Sequence, residues 1–409
     1  MPSLAQPLTL PCGQTLPNRI LKSAMSEIMG TPTHAPGPRL PVLYRRWAEG
    51  GLGVSVTGNV MIDRRALGEP GNVVIEDDRD LEALRAWAEA AKTGGTRAWM
   101  QLNHPGKQSP KFLSRQTVAP SAVGFGPALS GAFGVPRALE EHEIEDLVER
   151  FGKAAGVAAS AGFDGVQIHG AHGYLVSQFL SPRHNVREDR WGGSLDNRMR
   201  FVRAVYASIR AAVGPRVAVS IKINSADFQR GGFTEDESST VIAALASDGI
   251  DLVEISGGTY EAPAMTGQKR AASTEAREGY FLAFVERLRG EVDVPLAVTG
   301  GFRTAPGMEA AVADGAADVV GIARTVAIQP DFPRQVLAGE APVSQVRRLS
   351  TGVKALDRMG MLDVTWYENQ LARIGSGQEP LPRLGALRSM GTTLWTQGRQ
   401  AFQMRRARG

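Results

Sequence analysis

Two histidines and a tyrosine, His169, His172 and Tyr174, stand close together just past a short strand pattern, Asp164-Gly-Val-Gln-Ile-His169, in which apolar Val166 and Ile168 alternate with polar neighbours. Imidazoles there can donate hydrogen bonds to a substrate oxygen. A phenol, with an ordinary pKa of about 10, gives up its proton at neutral pH only to a strongly basic carbon or oxygen. A metal pair is the other use of two nearby histidines, but no carboxylate accompanies them at ligand-like spacing, so no metal is expected. Lys222 closes another apolar run, Val217–Ile223. A lysine placed there needs an anionic or electron-rich partner, which leaves a Schiff-base nucleophile, a cation beside an electron-accepting ring, or a side chain snorkelling to solvent. Gly300-Gly301 and Ala323-Arg324 end two further runs. Close-approaching backbone N–H groups with an arginine fork suit a phosphate. His104 precedes Pro105-Gly106 and reads as a turn residue, and His34, His142 and His184 have no comparable setting.

These residues need rigid elements beneath them. Strand-like runs recur at Arg19–Ala24, Gly53–Thr57, Arg97–Leu102, Gly165–His169, Val217–Ile223, Leu252–Ser256, Leu296–Thr299 and Val319–Ile322. Helical patterns alternate with them at Leu40–Glu49, Asp80–Thr93, Glu141–Ala161, Leu195–Val213, Glu235–Ser247, Arg277–Arg289, Ala305–Asp314 and Asp331–Leu337. Short apolar strands bounded by glycine, each followed by a helix, predict an α/β fold, a (β/α)8 TIM barrel. An open doubly wound sheet is the alternative, but no G-x-G-x-x-G opens a helix after a strand. All the residues named above then fall at strand C-terminal ends, where barrel enzymes carry their sites. Three long loops share that face: Asn103 to Ala138, the segment closing on Gly192-Gly193-Ser194 with Ser194 as a helix N-cap, and Gly257 to about Glu275. Leu8–Pro17, with Gly13 in its turn, predicts a hairpin capping the barrel's other end. Residues 1–340 are expected to form the barrel. Residues 341–409 are expected to form a helical extension (Val346–Met361, Trp366–Ile374, Leu387–Met404) packed on the barrel or on a partner subunit of a homo-oligomer.

Composition narrows the function classes. Across 409 residues, 46 basic side chains nearly balance 42 acidic ones, so the C-terminal Met404-Arg-Arg-Ala-Arg-Gly409 is expected to be a solvated tail and not a nucleic-acid arm. The single cysteine, Cys12, excludes an intramolecular disulfide and a cysteine-ligated iron–sulfur cluster. With no secretory signal and no apolar run long enough to span a bilayer, a cytoplasmic protein is expected.

Together the segments resemble the old yellow enzyme family, FMN-dependent barrels that reduce activated alkenes. The resemblance is carried by Leu16-Pro-Asn-Arg-Ile20, Ser23-Ala-Met-Ser26, Gln101-Leu-Asn-His-Pro-Gly106, His169-Gly-Ala-His-Gly-Tyr174, Phe179-Leu-Ser-Pro182, Asn185 with Arg187 and Asp189, Gly192-Gly-Ser194, Asn197-Arg198 and Gly321-Ile-Ala-Arg324. It implies that Ser23, Ala24, Met25 and Ser26 lie along an FMN, with Ser26 near its reactive edge. Gly58 would let the ring approach, Gln101 would bind its pyrimidine edge, and Lys222 would sit by N1. Gly301, Ala323 and Arg324 would hold the phosphate. His169 and His172 would grip the substrate, Tyr174 would protonate it, and Ile28 would shape the pocket. NADH or NADPH would be the reductant, and an α,β-unsaturated carbonyl or nitro compound the acceptor. A flavin-dependent NAD(P)H dehydrogenase or oxidase, or a dienoyl reductase, is the alternative. A tRNA dihydrouridine synthase needs a catalytic cysteine on a barrel loop, whereas Cys12 precedes the first strand, and a Schiff-base aldolase would use Lys222. The sequence departs from the family's pattern at Ala24 (commonly proline), Lys222 (usually arginine) and Ala323 (a glycine).

Overall fold

Short runs of aliphatic residues with no polar face pair most economically inside a layered fold, and here they close on themselves. The computed structural model describes residues 3–114, 116–262, 278–353, 357 and 362–407. The barrel strands are β1 (Ile20–Lys22), β2 (Val54–Val56), β3 (Arg97–Asn103), β4 (Gly165–Gly170), β5 (Ala218–Asn224), β6 (Leu252–Ser256), β7 (Leu296–Thr299) and β8 (Val319–Ile322). Each pairs in parallel with the next, and β8 pairs with β1, so the eight strands close into a barrel. Helices follow the strands: α1 (Arg39–Glu49), α2 (Leu81–Ala91), α3 (Glu141–Ser160), α4 (Leu195–Val213), α5 (Glu235–Asp248), α6 (Leu282–Leu288) and α7 (Ala305–Ala313). The TIM barrel read from the periodicity is therefore the fold.

Local chemistry sets the helix starts. The Ser194 hydroxyl accepts from the N–H of Asn197 (3.3 Å) to cap α4, and Thr234 with Glu237 forms a capping box on α5, a contact contributing about 1 kcal/mol. The expected helix Arg277–Arg289 starts late. Glu278 (φ +52°) and Gly279 (φ +57°) are left-handed, so regular helix begins only at Leu282; Arg277 lies outside the described residues.

The barrel's N-terminal end is plugged as expected. Leu8–Thr9 and Thr15–Leu16 form an antiparallel hairpin whose turn carries Gly13 at φ +82°. The Cys12 N–H donates to Asp251 (2.8 Å) and the Gln14 amide to the Asp164 carbonyl (2.7 Å), both at strand N-termini. Leu10 and Leu16 pack against Leu21, Val54, Trp99, Leu252 and Val319 in the barrel's lower interior.

Beyond Leu337 the extension differs from its expected pattern. Residues 346–353 are not helical, and the rest of the expected Val346–Met361 helix, apart from Asp357, lies outside the described residues. Two helices follow, α8 (Leu362–Ile374) and α9 (Ala386–Ala407). Helix α8 packs on its own barrel: Leu371 and Ile374 join the main core, and Trp366 is buried. Burial of side chains this size stabilises by about 2 kcal/mol apiece. The Asn369 amide ties α8 to α9 through the Ser389 carbonyl (3.1 Å) and the Thr393 hydroxyl (3.0 Å).

Candidate active site

A polar layer crosses the barrel below the strand C-termini. Gln101 on β3 stands in register with Gln167 on β4, His169 with Lys222 on β5, and Lys222 with Glu254 on β6. Side chains two apart on a strand share a face, so Gln167 and His169 point the same way. The Gln101 amide donates to Gln167 (2.8 Å), which donates to Glu254 (2.9 Å). Lys222 Nζ lies 3.1 Å from Glu254 and donates to the Ser23 hydroxyl (2.7 Å), which donates in turn to Glu254. Every member is at most 4 % exposed. A buried charge survives only when paired and hydrogen-bonded, and Lys222 meets that requirement through Glu254; the snorkelling alternative falls. The sequence reading did not single out Glu254. Its signal was a lone carboxylate inside Leu252-Val-Glu-Ile-Ser256.

Above this floor stand the two histidines and the tyrosine. His169 Nδ1 accepts from the Ala171 N–H (3.4 Å), which places the proton of the neutral ring on Nε2. His172 has a left-handed backbone (φ +61°), a strained conformation for a residue with a Cβ. Its N–H donates to Asn224 Oδ1 (3.1 Å), its carbonyl accepts from Gln108 (3.2 Å), and its Nε2 lies 2.8 Å from the Ser256 hydroxyl. The rings of His169 and His172 meet edge to face at 5.2 Å, and those of His169 and Tyr174 at 4.7 Å. Burial holds both imidazoles neutral, with the Lys222 charge acting in the same direction. His172 is brought down to about 3, and His169 falls well below its ordinary value with a further push from His172. Burial, with Tyr260 and Glu69 adding to it, raises the Tyr174 phenol well above 10, so it stays protonated.

Tyr260 was missed. A bridge between His172 and Thr259 lays the loop after β6 beside the loop after β4, which brings the Tyr260 hydroxyl to 2.9 Å from that of Tyr174. Tyr174 is 8 % exposed and Tyr260 41 %, so the second phenol connects the first to solvent. The rest of this loop, from Pro263 to Glu275, lies outside the described residues. The polar residues after Tyr174 are staples: Asn185 donates to the Phe179 and Trp191 carbonyls (2.8 and 2.7 Å), and Arg187 to those of Pro120 and Leu139 (2.9 and 2.6 Å). His104 is a turn residue, accepting from the Gly106 N–H (3.1 Å).

The rim carries the remaining expected residues. Ala24, Met25 and Ser26 follow β1, with Ala24 and Ser26 half-buried. Ser26 donates its hydroxyl to Glu69. Ile28 is left-handed (φ +48°) and its carbonyl accepts from Gln400 of α9 (2.9 Å). At Gly58 a Cβ would lie 2.3 Å from the Met25 carbonyl and 2.7 Å from Glu27, so the segment after β1 itself requires a glycine there. Gly301 is left-handed (φ +100°) under the Tyr280 ring, Ala323 precedes the turn Arg324–Ile328, and Arg324 Nη1 pairs with Asp363 of α8 (2.8 Å). A buried amide, ammonium and hydroxyl beneath, with half-buried backbone and a guanidinium at the rim, match the polar edge and phosphate of a flavin mononucleotide. The donor set fits the group.

Comparison with known proteins agrees. A sequence model of the NADH:flavin oxidoreductase / NADH oxidase family matches residues 3–341. The chain is 38% identical to the NADH-dependent flavin oxidoreductase iliE of Hypocrea jecorina over 81% of this chain and 88% of that protein. It is 31% identical to the NADH oxidase of Thermoanaerobacter brockii over 79% of this chain but only 49% of that longer protein. Morphinone reductase in complex with tetrahydroNAD superposes with a TM-score of 0.70 at 27% identity, covering 84% of this chain and 92% of that one. The old yellow enzyme homologue from Zymomonas mobilis gives the same TM-score at 26% identity, over 84% and 95%. This chain therefore belongs to the NADH:flavin oxidoreductase / NADH oxidase family and is an enzyme of the old yellow enzyme type.

Proposed function

We propose that the enzyme binds FMN on the polar layer and reduces the C=C bond of an α,β-unsaturated carbonyl or nitro compound at the expense of NADH. What FMN supplies when bound is a two-electron store, filled by the nicotinamide and emptied as hydride onto the alkene's β-carbon. The protein's share is binding, polarisation and proton delivery. Gln101, Ser23 and Lys222 would hold the ring's polar edge, where the Lys222 ammonium would favour negative charge. Gly301, Ala323 and Arg324 hold the phosphate. His169 and His172, both neutral, donate N–H bonds to the carbonyl or nitro oxygen. That contact draws electron density from the β-carbon and is fixed before the substrate arrives, so it costs no reorganisation during reaction. Tyr174 gives its proton to the α-carbon, and Tyr260 restores that proton from solvent. Ile28 forms part of the pocket wall.

The observation that carries this reading is a protonated buried phenol beside two neutral imidazoles, all above a paired lysine. The test is anaerobic. The purified protein should show a flavin spectrum, gain a long-wavelength charge-transfer band with a phenol, bleach with NADH, and regain colour with 2-cyclohexenone. Bleaching by NADH with recovery only by oxygen would favour an NADH oxidase and refute the ene-reductase reading.

A further inference from the structure

Three loops at the barrel mouth meet at a buried lysine that the proposed chemistry does not use. Lys107 sits in the turn after β3, His184 in the loop after β4, and Glu261 in the loop after β6, next to Tyr260. Lys107 is 1 % exposed and His184 4 %. Lys107 Nζ lies 3.1 Å from His184 Nδ1, 3.4 Å from the Gly124 carbonyl, 3.5 Å from that of Val123 and 4.3 Å from the centre of the Phe125 ring. An ammonium has only donors, so His184 Nδ1 accepts, and the neutral ring carries its proton on Nε2. One oxygen of Glu261 lies 4.0 Å from Lys107 Nζ and 3.9 Å from His184 Nε2, and the other accepts from the Gly126 N–H (3.4 Å). Among the described residues, no other carboxylate lies within 4.0 Å of Lys107 Nζ. A buried ammonium needs a counter-charge, and Glu261 is the one it has.

The Glu261 carboxylate therefore lies among donors from two other loops, and its backbone neighbour is the second phenol of the site. Tyr260 is 41 % exposed, so burial alone does not fix the hydroxyl that stands 2.9 Å from that of Tyr174. Anchors on both sides do. Thr259 bridges to His172 and accepts from the Gln229 amide (3.0 Å), and Glu261 is held by Lys107, His184 and Gly126. Adjacent Cα atoms are about 3.8 Å apart, so anchoring both neighbours leaves the Tyr260 backbone little freedom. A row of rings joins the same two places: Phe125, which the Lys107 ammonium touches, meets Phe133 at 5.0 Å, Phe133 meets Tyr260 at 6.3 Å, and Tyr260 meets Tyr174 at 5.9 Å.

We infer that Lys107 and His184 are positioning residues for proton return: by holding the Glu261 carboxylate they keep the Tyr260 hydroxyl on that of Tyr174. The inference rests on the reading of Tyr260 as the group that restores the proton of Tyr174, and it names the residues that keep Tyr260 in place. No proton passes through the cluster. It acts on the two phenols by geometry, and it does so by tying the loop after β6 to the loops after β3 and β4.

The test uses the FMN-bound enzyme and its two half-reactions, followed anaerobically by flavin absorbance, with NADH as reductant and 2-cyclohexenone as oxidant. Lys107→Met should slow reoxidation by the alkene about fivefold, the effect of losing one neutral hydrogen bond to Tyr174, and should leave reduction by NADH within about twofold of the unmodified enzyme. The solvent isotope effect on reoxidation should rise with it. Glu261→Gln reaches the same contact from a partly exposed side chain, so it carries the test even where Lys107→Met fails to fold, and it should slow reoxidation equally. Glu261→Gln combined with Tyr260→Phe should be no slower than Tyr260→Phe alone, because the hydroxyl to be positioned is gone. A double variant slowed by the product of the two single effects would overturn the inference, since Glu261 would then act on something other than Tyr260. Equal slowing of both half-reactions in Glu261→Gln would overturn it too, as the mark of a merely structural contact. If Tyr260→Phe leaves reoxidation unchanged, the reading of Tyr260 is wrong and the positioning role falls with it. If Tyr260→Phe is slow and Glu261→Gln is not, that reading stands and only the positioning role is lost.

Discussion

Removing one hydroxyl at a time from the Tyr174–Tyr260 pair separates the proton donor from its supply. Tyr174→Phe leaves the ring against His169 and deletes the proposed proton donor. General-acid catalysis is typically worth 10²–10⁴-fold, so the alkene-dependent half-reaction should slow by about that range. Tyr260→Phe is milder. Tyr174 keeps its proton but loses a 2.9 Å partner in a buried setting. One such neutral hydrogen bond contributes about 1 kcal/mol, which corresponds to about fivefold in rate. The assay is anaerobic stopped-flow absorbance of the flavin, with NADH reduction and alkene reoxidation followed separately. Reduction by NADH should stay within twofold of the unmodified enzyme in both variants, because neither hydroxyl serves that step. Reoxidation should fall by a hundredfold or more in Tyr174→Phe and about fivefold in Tyr260→Phe, with a larger solvent isotope effect in the latter. Equal slowing of both half-reactions would show that the tyrosines merely hold the pocket's shape. A Tyr260→Phe enzyme as slow as Tyr174→Phe would make Tyr260 the donor and refute the order of transfer.

The alkene-dependent kcat/KM should be flat from pH 5 to 8. Both site imidazoles have folded-state pKa values depressed by burial, His172 to about 3, so each is already neutral throughout that window; a bend near pH 6.5 that vanishes in His172→Asn would refute a neutral pair. Lys222→Met should destabilise the cofactor-free protein by about 3 kcal/mol in urea unfolding, because Glu254 is left fully buried without its cation, and Glu254→Gln in the same chain should restore part of the loss; a cost below about 1 kcal/mol would mean that the ion pair is not what holds the polar layer.

What the sequence showed of this protein tracks how locally each feature is written. The barrel was readable because a strand buried on both faces must be an apolar run whatever surrounds it, and because each run was followed by a helix pattern. His169, His172 and Tyr174 were readable because one segment carries all three. Glu254 was not, since an isolated carboxylate in a strand acquires meaning only when the register sets it beside Lys222 and Gln167. Tyr260 depends on the bridge from His172 to Thr259, a contact between loops that no local pattern encodes. Gly58 shows the converse: a glycine announces a close approach but not what approaches, and the Met25 carbonyl alone already requires it.

The extension is the sharpest case. A 3.6-residue pattern said that one face of Trp366–Ile374 is buried, but it could not say against what. Arg324 decides the outcome. The sequence assigned it to a phosphate, and in the fold the same guanidinium also receives Asp363. That ion pair anchors the first turn of α8 at the C-terminal end of β8. The residue that would grip the cofactor therefore also docks α8 on the barrel. A phosphate at Arg324 and the carboxylate of Asp363 share one delocalised cation with five donors, enough for both.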